Sequence, residues 1–300
     1  MKIGIFGGDT AGRSIDDVVA DARAVEADGF SSYALPQIFA LDAISVLTIV
    51  GREVPRIELS TGVVPTYSRH PLTMAQQALT AQAASGGRFV LGIGLSHQLV
   101  IEGMFGLSFD KPVRHMREYL AVLMPLIHDG KVSFKGETIS SEISIGVEPR
   151  IPCPVLVAAL GAQMLRLAGT VTDGTVTWMT GPATLSSHTV PTIAAAAQAA
   201  GRPAPRIAAS LPICVTSDID KARERAARDF QVYGFLPSYR AMLDREGAEG
   251  PADVAIVGDE STVEKQVRAL ADAGVTEYVA SIYGSRDERA QTRALLKSML

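Results

Sequence analysis

Arg56-Ile-Glu-Leu-Ser-Thr-Gly-Val-Val-Pro-Thr-Tyr-Ser-Arg-His-Pro71, followed by Arg88-Phe-Val-Leu-Gly-Ile-Gly-Leu-Ser-His97, decides the fold. Each stretch is a β-branched, apolar strand that ends in glycine and polar groups, and the helical segment Pro71–Gly87 joins them. A strand that delivers small residues and hydrogen-bonding side chains at its carboxyl end builds one wall of a ligand site.

Outward from this pair the same alternation continues to both ends of the chain. Strands are expected at Lys2–Phe6, Ser32–Leu35, Ile57–Val64, Phe89–Leu95, Val155–Ala159, Thr175–Thr180, Ile207–Val215 and Tyr278–Ile282, with amphipathic helices between them. Ser14 caps the first helix, with Asp17 three residues on, and His70 stands before Pro71 at a helix start, where capping or packing is its expected role. Lys131–Ile145 breaks the rhythm. Polar and apolar residues alternate there around Lys135-Gly136, which reads as a hairpin in an insertion spanning 131–152.

Eight apolar strands alternating with helices predict a parallel sheet, and eight is the closure number of a (β/α)8 TIM barrel. The expectation is therefore an α/β single domain over 1–300 with an inserted hairpin segment. A doubly wound sheet is the alternative. It needs a phosphate fingerprint after strand one, where the chain reads Gly7-Gly8-Asp9-Thr10 instead. Gly92-Ile93-Gly94 lies inside a strand and is followed at the sixth position by His97, so it is not that fingerprint either.

A chain of 300 residues buries roughly 75% of its unfolded surface and needs no metal or disulfide to fold. Hydrophobic residues at 47% and charged residues at 20% are the balance of a compact domain, and a net charge of −4 gives no electrostatic reason to expect nucleic acid or an anionic membrane. Cys153 and Cys214 each sit in an apolar strand-like segment without metal-ligand spacing, as buried reduced thiols do. The apolar start is too short for a signal peptide, and no apolar run reaches the length of a membrane span. A cytoplasmic protein is expected.

In such a barrel the loops after each strand share one face, which holds the site. They deliver Gln37 after strand two, Tyr67 and His70 after three, Ser96 and His97 after four, Gly161, Ala162 and Gln163 after five, and Thr180 and Gly181 after six. Asp and Glu are nearly absent from these loops, so no metal site is expected, and no serine or cysteine stands in a nucleophile elbow. The set suits holding a large organic cofactor better than hydrolysis. Phe39, Met104, Phe105, Phe109 and Phe235 make the loops Ile38–Leu41, Leu99–Lys111 and Phe230–Ala255 apolar, which points to an uncharged or apolar substrate.

Thr61–Pro71, Gly86–Gly94 and Ala168–Gly174 with Thr177-Trp178 resemble the bacterial luciferase-like superfamily, in order and over nearly the whole chain. Within it, Leu91–His97 and Ala158–Gln163 are most similar to the coenzyme F420-dependent oxidoreductases. The resemblance implies a deazaflavin enzyme that passes hydride to or from a small organic substrate. It implies a non-prolyl cis peptide at Gly62-Val63 on which the tricyclic ring rests, a cofactor phosphate at Gly161-Ala162-Gln163, and Gln37, Ser96, His97, Ala159 and Thr180 around the cofactor. His97 stands where relatives present a residue near the reactive ring carbon, and a histidine there serves as a general acid or base, with a structural histidine as the alternative. Gln37 replaces a titratable group of some relatives, and its amide can bond ring or substrate but cannot transfer protons. Tyr67 either lines the substrate pocket or is a scaffold tyrosine. Two other functions stay open: an FMN-dependent monooxygenase of the same superfamily, and a non-catalytic flavin- or deazaflavin-binding protein. Relatives imply a homodimer.

Overall fold

The computed structural model describes residues 1–148 and 151–300; the part of the expected insertion at 149–150 lies outside the described residues. Eight strands form the barrel: β1 (Lys2–Phe6), β2 (Ser32–Leu35), β3 (Glu58–Thr61), β4 (Phe89–Gly94), β5 (Val155–Ala158), β6 (Gly174–Trp178), β7 (Arg206–Ser210) and β8 (Glu277–Ile282). Each pairs in parallel with its neighbours, and β8 returns to β1 with Ile3 opposite Tyr278, which closes the sheet into an α/β TIM barrel. Helices follow the strands because their starts are written into the sequence. Ser14 and Asp17 form a reciprocal capping box before Ile15–Ala27, and His70 Nδ1 accepts the Leu72 amide at 3.2 Å ahead of Pro71–Ala84.

Side-chain alternation sorts each strand between two layers. Phe89, Leu91 and Ile93 join the main core between sheet and helices, while Val90, Leu156 and Ala208 pack with Val176 in a separate cluster inside the barrel. Below that cluster, at the amino end of the strands, Arg206 is forked between two carboxylates. Its Nε and Nη2 donate to Glu277 at 2.5 and 2.7 Å, and its Nη2 and Nη1 donate to Glu58 at 2.6 and 3.3 Å. Above the cluster stand Gly92 and Gly94. A Cβ on Gly92 would lie 2.0 Å from the Thr61 carbonyl, and one on Gly94 would lie 2.8 Å from Val63 Cγ2. These two glycines are the seat of the Val63 side chain, so they serve packing.

Beyond shifts of one or two residues at strand ends, several elements differ from expectation. β3 ends at Thr61; the Gly62–Val63 peptide is cis, and Val64–Pro65 resumes pairing separately, opposite Ile93 and Gly94. The long seventh strand is broken at Leu211. Arg206–Ser210 stays in the barrel, and Pro212–Val215 leaves it to pair with Ser281–Ile282 and with a further strand, Ile256–Gly258. Proline has no N–H to continue the ladder, which is why the break falls there. Helices also fill the presumed loops, at Gln98–Gly103 and Pro237–Glu246.

The insertion is a two-stranded antiparallel hairpin, Lys131–Lys135 with Ser140–Ser144. Glu118, on helix Pro112–His128, clasps its turn by accepting the amides of Glu137, Thr138 and Ile139 and the Thr138 hydroxyl at 2.7–3.0 Å. Burial opposes the Glu118 charge, but these hydrogen bonds outweigh it and hold the carboxyl down at about 2. Cys153 and Cys214 are free, buried thiols.

Candidate active site at the barrel mouth

Aromatic rings connect the strands across the carboxyl end of the barrel. His97, directly after β4, lies 5.7 Å from Tyr239 between ring centroids; Tyr239 meets Tyr233 at 5.0 Å, and Tyr233 meets Trp178 of β6 at 5.8 Å. Trp178 stacks on Phe6 of β1 at 6.0 Å, and a Cβ on Gly62, beyond β3, would lie 3.1 Å from the Phe6 ring. Apolar walls of this kind, with few polar groups among them, are what an organic ring requires. Tyr233 and Tyr239 come from the stretch after the break at Leu211, within the Phe230–Ala255 segment expected to shape the substrate end.

His97 is half-buried and makes no capping hydrogen bond to the helix it begins. Burial lowers its pKa below the ordinary imidazole value, so it is neutral at pH 7. Ser96, before it, has φ 59°, a left-handed backbone that turns the chain from β4 into that helix. Gln37 reaches the same face. Its Oε1 accepts the Ala43 amide at 2.8 Å, and its backbone N–H donates to Val63 O at 3.3 Å, so the residue ties the next helix to the cis-peptide corner. Thr180 is buried and donates to Trp178 O at 3.2 Å, and Ala159 is buried at the end of β5.

Gly161 starts helix Ala162–Val171, and no side chain caps it. A Cβ placed on Gly161 would meet nothing within 4 Å, Gly161 and Gln163 are exposed, and the amides of this first turn have no partner within the helix. His188 sits behind them in the π-turn Leu185–Thr189, its Nε2 2.8 Å from Leu160 O. A carbonyl only accepts, so Nε2 carries the proton. In a trans peptide the carbonyl and the following N–H point in opposite directions, so holding Leu160 O inward turns the Gly161 N–H outward.

Tyr67 lies apart from the aromatic chain described above. Its ring stacks on His115 at 3.9 Å and on Phe109 at 5.4 Å, and His115 Nε2 pairs with Thr66 Oγ1 at 3.0 Å. The Tyr67 hydroxyl is buried without a hydrogen-bond partner among the described residues. Burial, with the charges of Asp110 and Glu102, pushes its pKa up to about 12, so it stays a protonated donor. An orphaned donor, aromatic walls and an uncapped amide end together fit a planar organic cofactor with an anionic arm.

Sequence reasoning did not single out His115, His188, Tyr233 or Tyr239. His115 and Tyr119 stand four apart on one helix face, and Pro237 at a helix start was a readable signal for the element carrying Tyr239. Nothing local marks His188, which acts through a carbonyl distant in sequence.

The sequence model of the luciferase-like monooxygenase family matches residues 1–282, and the chain belongs to that family. It is 26% identical over 299 residues to 5,10-methylenetetrahydromethanopterin reductase of Methanolobus tindarius, covering 90% of this chain and 91% of the relative. It is 28% identical over 228 residues to F420-dependent glucose-6-phosphate dehydrogenase of Nakamurella multipartita, covering 73% and 65%. The solved structure of an F420-dependent secondary alcohol dehydrogenase with an F420-acetone adduct superposes with a TM-score of 0.81 at 20% identity, covering 100% of this chain and 98% of that one. These relatives are oxidoreductases. Among the described residues no helix is long and apolar enough to cross a membrane, and no group of three or more metal-ligating side chains occurs.

Proposed function

We propose that the protein is a coenzyme F420-dependent oxidoreductase that transfers hydride between the deazaflavin and a small organic substrate. The observation that carries it is the pairing of an uncapped amide end at Gly161–Gln163 with an aromatic-walled mouth that contains a neutral, half-buried His97. Relatives 26–28% identical with the names given above point the same way.

The deazaflavin supplies the hydride chemistry. The chain's own residues bind, orient and handle the proton. The amides of Gly161, Ala162 and Gln163 hold the cofactor phosphate, and Gly62-Val63 supports the ring, with Ser96, Ala159 and Thr180 lining it. Phe6, Trp178, Tyr233 and Tyr239 exclude water from the reacting faces. Oxidation of a substrate removes a hydride and a proton; His97, unprotonated at neutral pH, accepts that proton and returns it in the reverse direction. Tyr67 donates a hydrogen bond to the bound molecule, and the Gln37 side-chain N–H is its second polar contact at this end.

The family's description favours a second reading, an FMN-dependent monooxygenase. Anaerobic equilibrium binding to coenzyme F420 and to FMN, oxidised and reduced, separates the two. Micromolar or tighter binding of F420 with none of FMN is expected. Preference for FMN, with oxygen consumed on turnover, overturns the deazaflavin reading. Tight cofactor binding with no turnover across a panel of acceptors would leave a non-catalytic binding protein.

A further inference from the structure

Glu246 is the last residue of helix Pro237–Glu246, where the negative end of the helix dipole disfavours a carboxylate. What offsets this lies across the fold, in the loop after β6. Glu246 Oε1 accepts the Ala183 amide at 3.0 Å and Oε2 accepts the Thr184 amide at 2.7 Å, in the turn Pro182–Thr184. The buried Thr184 hydroxyl donates to Met242 O at 3.3 Å, one turn earlier on the same helix. Gly181 leaves the room for this clasp, because a Cβ there would lie 2.3 Å from Glu246 Oε1. Its backbone is ordinary extended chain, φ −78° and ψ 169°, so glycine is needed at this position for space and not for conformational freedom.

Tyr239 and Glu246 stand seven residues apart, about two turns, so one face of the helix carries the clasp at one end and the Tyr239 ring at the other. That ring lies against His97, 5.7 Å between centroids and tilted by 59°. Charged side chains on the two helices that meet there are engaged elsewhere. Glu102, on the helix His97 begins, accepts from the Gln98 side chain and the Phe109 amide. Arg240, beside Tyr239, is held by Asp244 and by the carbonyls of Ala248 and Glu249, and Arg245 stands in the last turn, at the far end from Tyr239. Tyr239 and, beyond it, Tyr233 are phenols that burial keeps protonated. What the arm brings to His97 is therefore an apolar ring face and not a charge.

We propose that Glu246 and Gly181 are positioning residues for His97: the clasp fixes helix Pro237–Glu246 to the loop after β6, and so lays the Tyr239 ring against the imidazole and shields it from water. The proposal deepens the reading of His97 as the group that takes the substrate proton, and rests on that reading for its effect on turnover. With the ring in place the imidazole stays neutral. With the arm loosened, water reaches it and the protonated form becomes easier to hold.

The test is an NMR titration of the His97 imidazole Cε1–H in the full chain, assigned by its loss in His97→Gln. It compares the wild type with Glu246→Gln, Glu246→Asp, Gly181→Ala, Tyr239→Ala and Tyr239→Phe. Wild-type His97 is expected to titrate below the ordinary value of about 6.5, because burial opposes its charge. In the Glu246 and Gly181 variants and in Y239A the midpoint rises towards that value, whereas Y239F, which keeps the ring, leaves it in place. His70, His115 and His128 serve as internal controls and do not move. Turnover with coenzyme F420 across pH then reads the consequence. The acid limb of substrate oxidation moves to higher pH by the same amount in E246Q and G181A, with cofactor affinity unchanged, because only a neutral imidazole accepts the proton. Glu246→Asp keeps the charge and shortens its reach, the mildest disturbance of the fold in the set. A wild-type midpoint in the folded Glu246 and Gly181 variants overturns the proposal, and so does a midpoint that moves as far in Y239F as in Y239A. A moved midpoint with no F420 turnover by the wild type supports the placement of His97 by the clasp and overturns the cofactor reading; F420 turnover with an unmoved midpoint does the reverse.

Discussion

The two ends of the barrel handle polar groups in opposite ways. At the amino end, Arg206 has its Nε, Nη1 and Nη2 engaged by Glu58 and Glu277, three charges from three strands that satisfy one another. At the carboxyl end, His97 makes no cap bond, the Tyr67 hydroxyl has no partner among the described residues, and the Gly161 helix has no side-chain cap. Polar groups that answer each other across the barrel serve structure. Groups with unused hydrogen-bonding capacity at the end where the loops gather are available to a ligand.

The largest expected effect is at the open end. His97→Ala should lower turnover about 100- to 10,000-fold while changing cofactor affinity less than threefold, measured by steady-state kinetics beside equilibrium binding. Because burial depresses the His97 pKa, the group is neutral above its folded value, and substrate oxidation should fall as pH drops through a value below about 6.5. A pH profile flat from 5 to 8, or an unchanged turnover number, would remove His97 from the chemistry.

The closed end should show the reverse pattern. Arg206→Met leaves Glu58 and Glu277 facing each other and should cost about 3 kcal/mol in urea unfolding, with kcat/KM of the remaining folded protein within twofold. Recovery of stability in a triple variant that also carries Glu58→Gln and Glu277→Gln would show that the lost stability was charge left unpaired. A loss of activity matching the loss of stability would break the distinction between the two ends.

A smaller effect belongs to the insertion, which follows the logic of the closed end. Glu118→Gln should cost about 2 kcal/mol and raise amide exchange at Glu137–Ile139, with turnover unchanged. The folded Glu118 carboxyl, at about 2, lies below its unfolded value of about 4.3. Its contribution is therefore complete above about 4.3 and is lost as pH falls towards 2, where wild type and variant should unfold alike.

Much of this architecture is legible in the chain itself. The apolar runs that begin at Lys2, Ser32, Phe89 and Val155 all became barrel strands, because a strand covered on both faces must be apolar along its length. Ser14 and His70 could be read as caps because a cap bonds an amide two or three residues away. The break at Leu211 was harder to read: Pro212 fixes where it falls, but the departing half is held by the later residues of β8, which pair with it.

The site divides along the same line. From the chain alone come the barrel, a helix start at Gly161 and a histidine after β4, because each depends on residue types within a few positions of one another; the corner at Gly62-Val63 came from the resemblance to the family. Tertiary structure alone decided that Tyr239 stands over His97, that His115 stacks on Tyr67, that His188 turns the Gly161 amide outward and that Glu246 clasps the amides beyond Gly181. Those contacts join segments dozens of residues apart. Local hydrogen-bonding and hydrophobic periodicity carry no record of them until closure of the barrel brings the loops to one face.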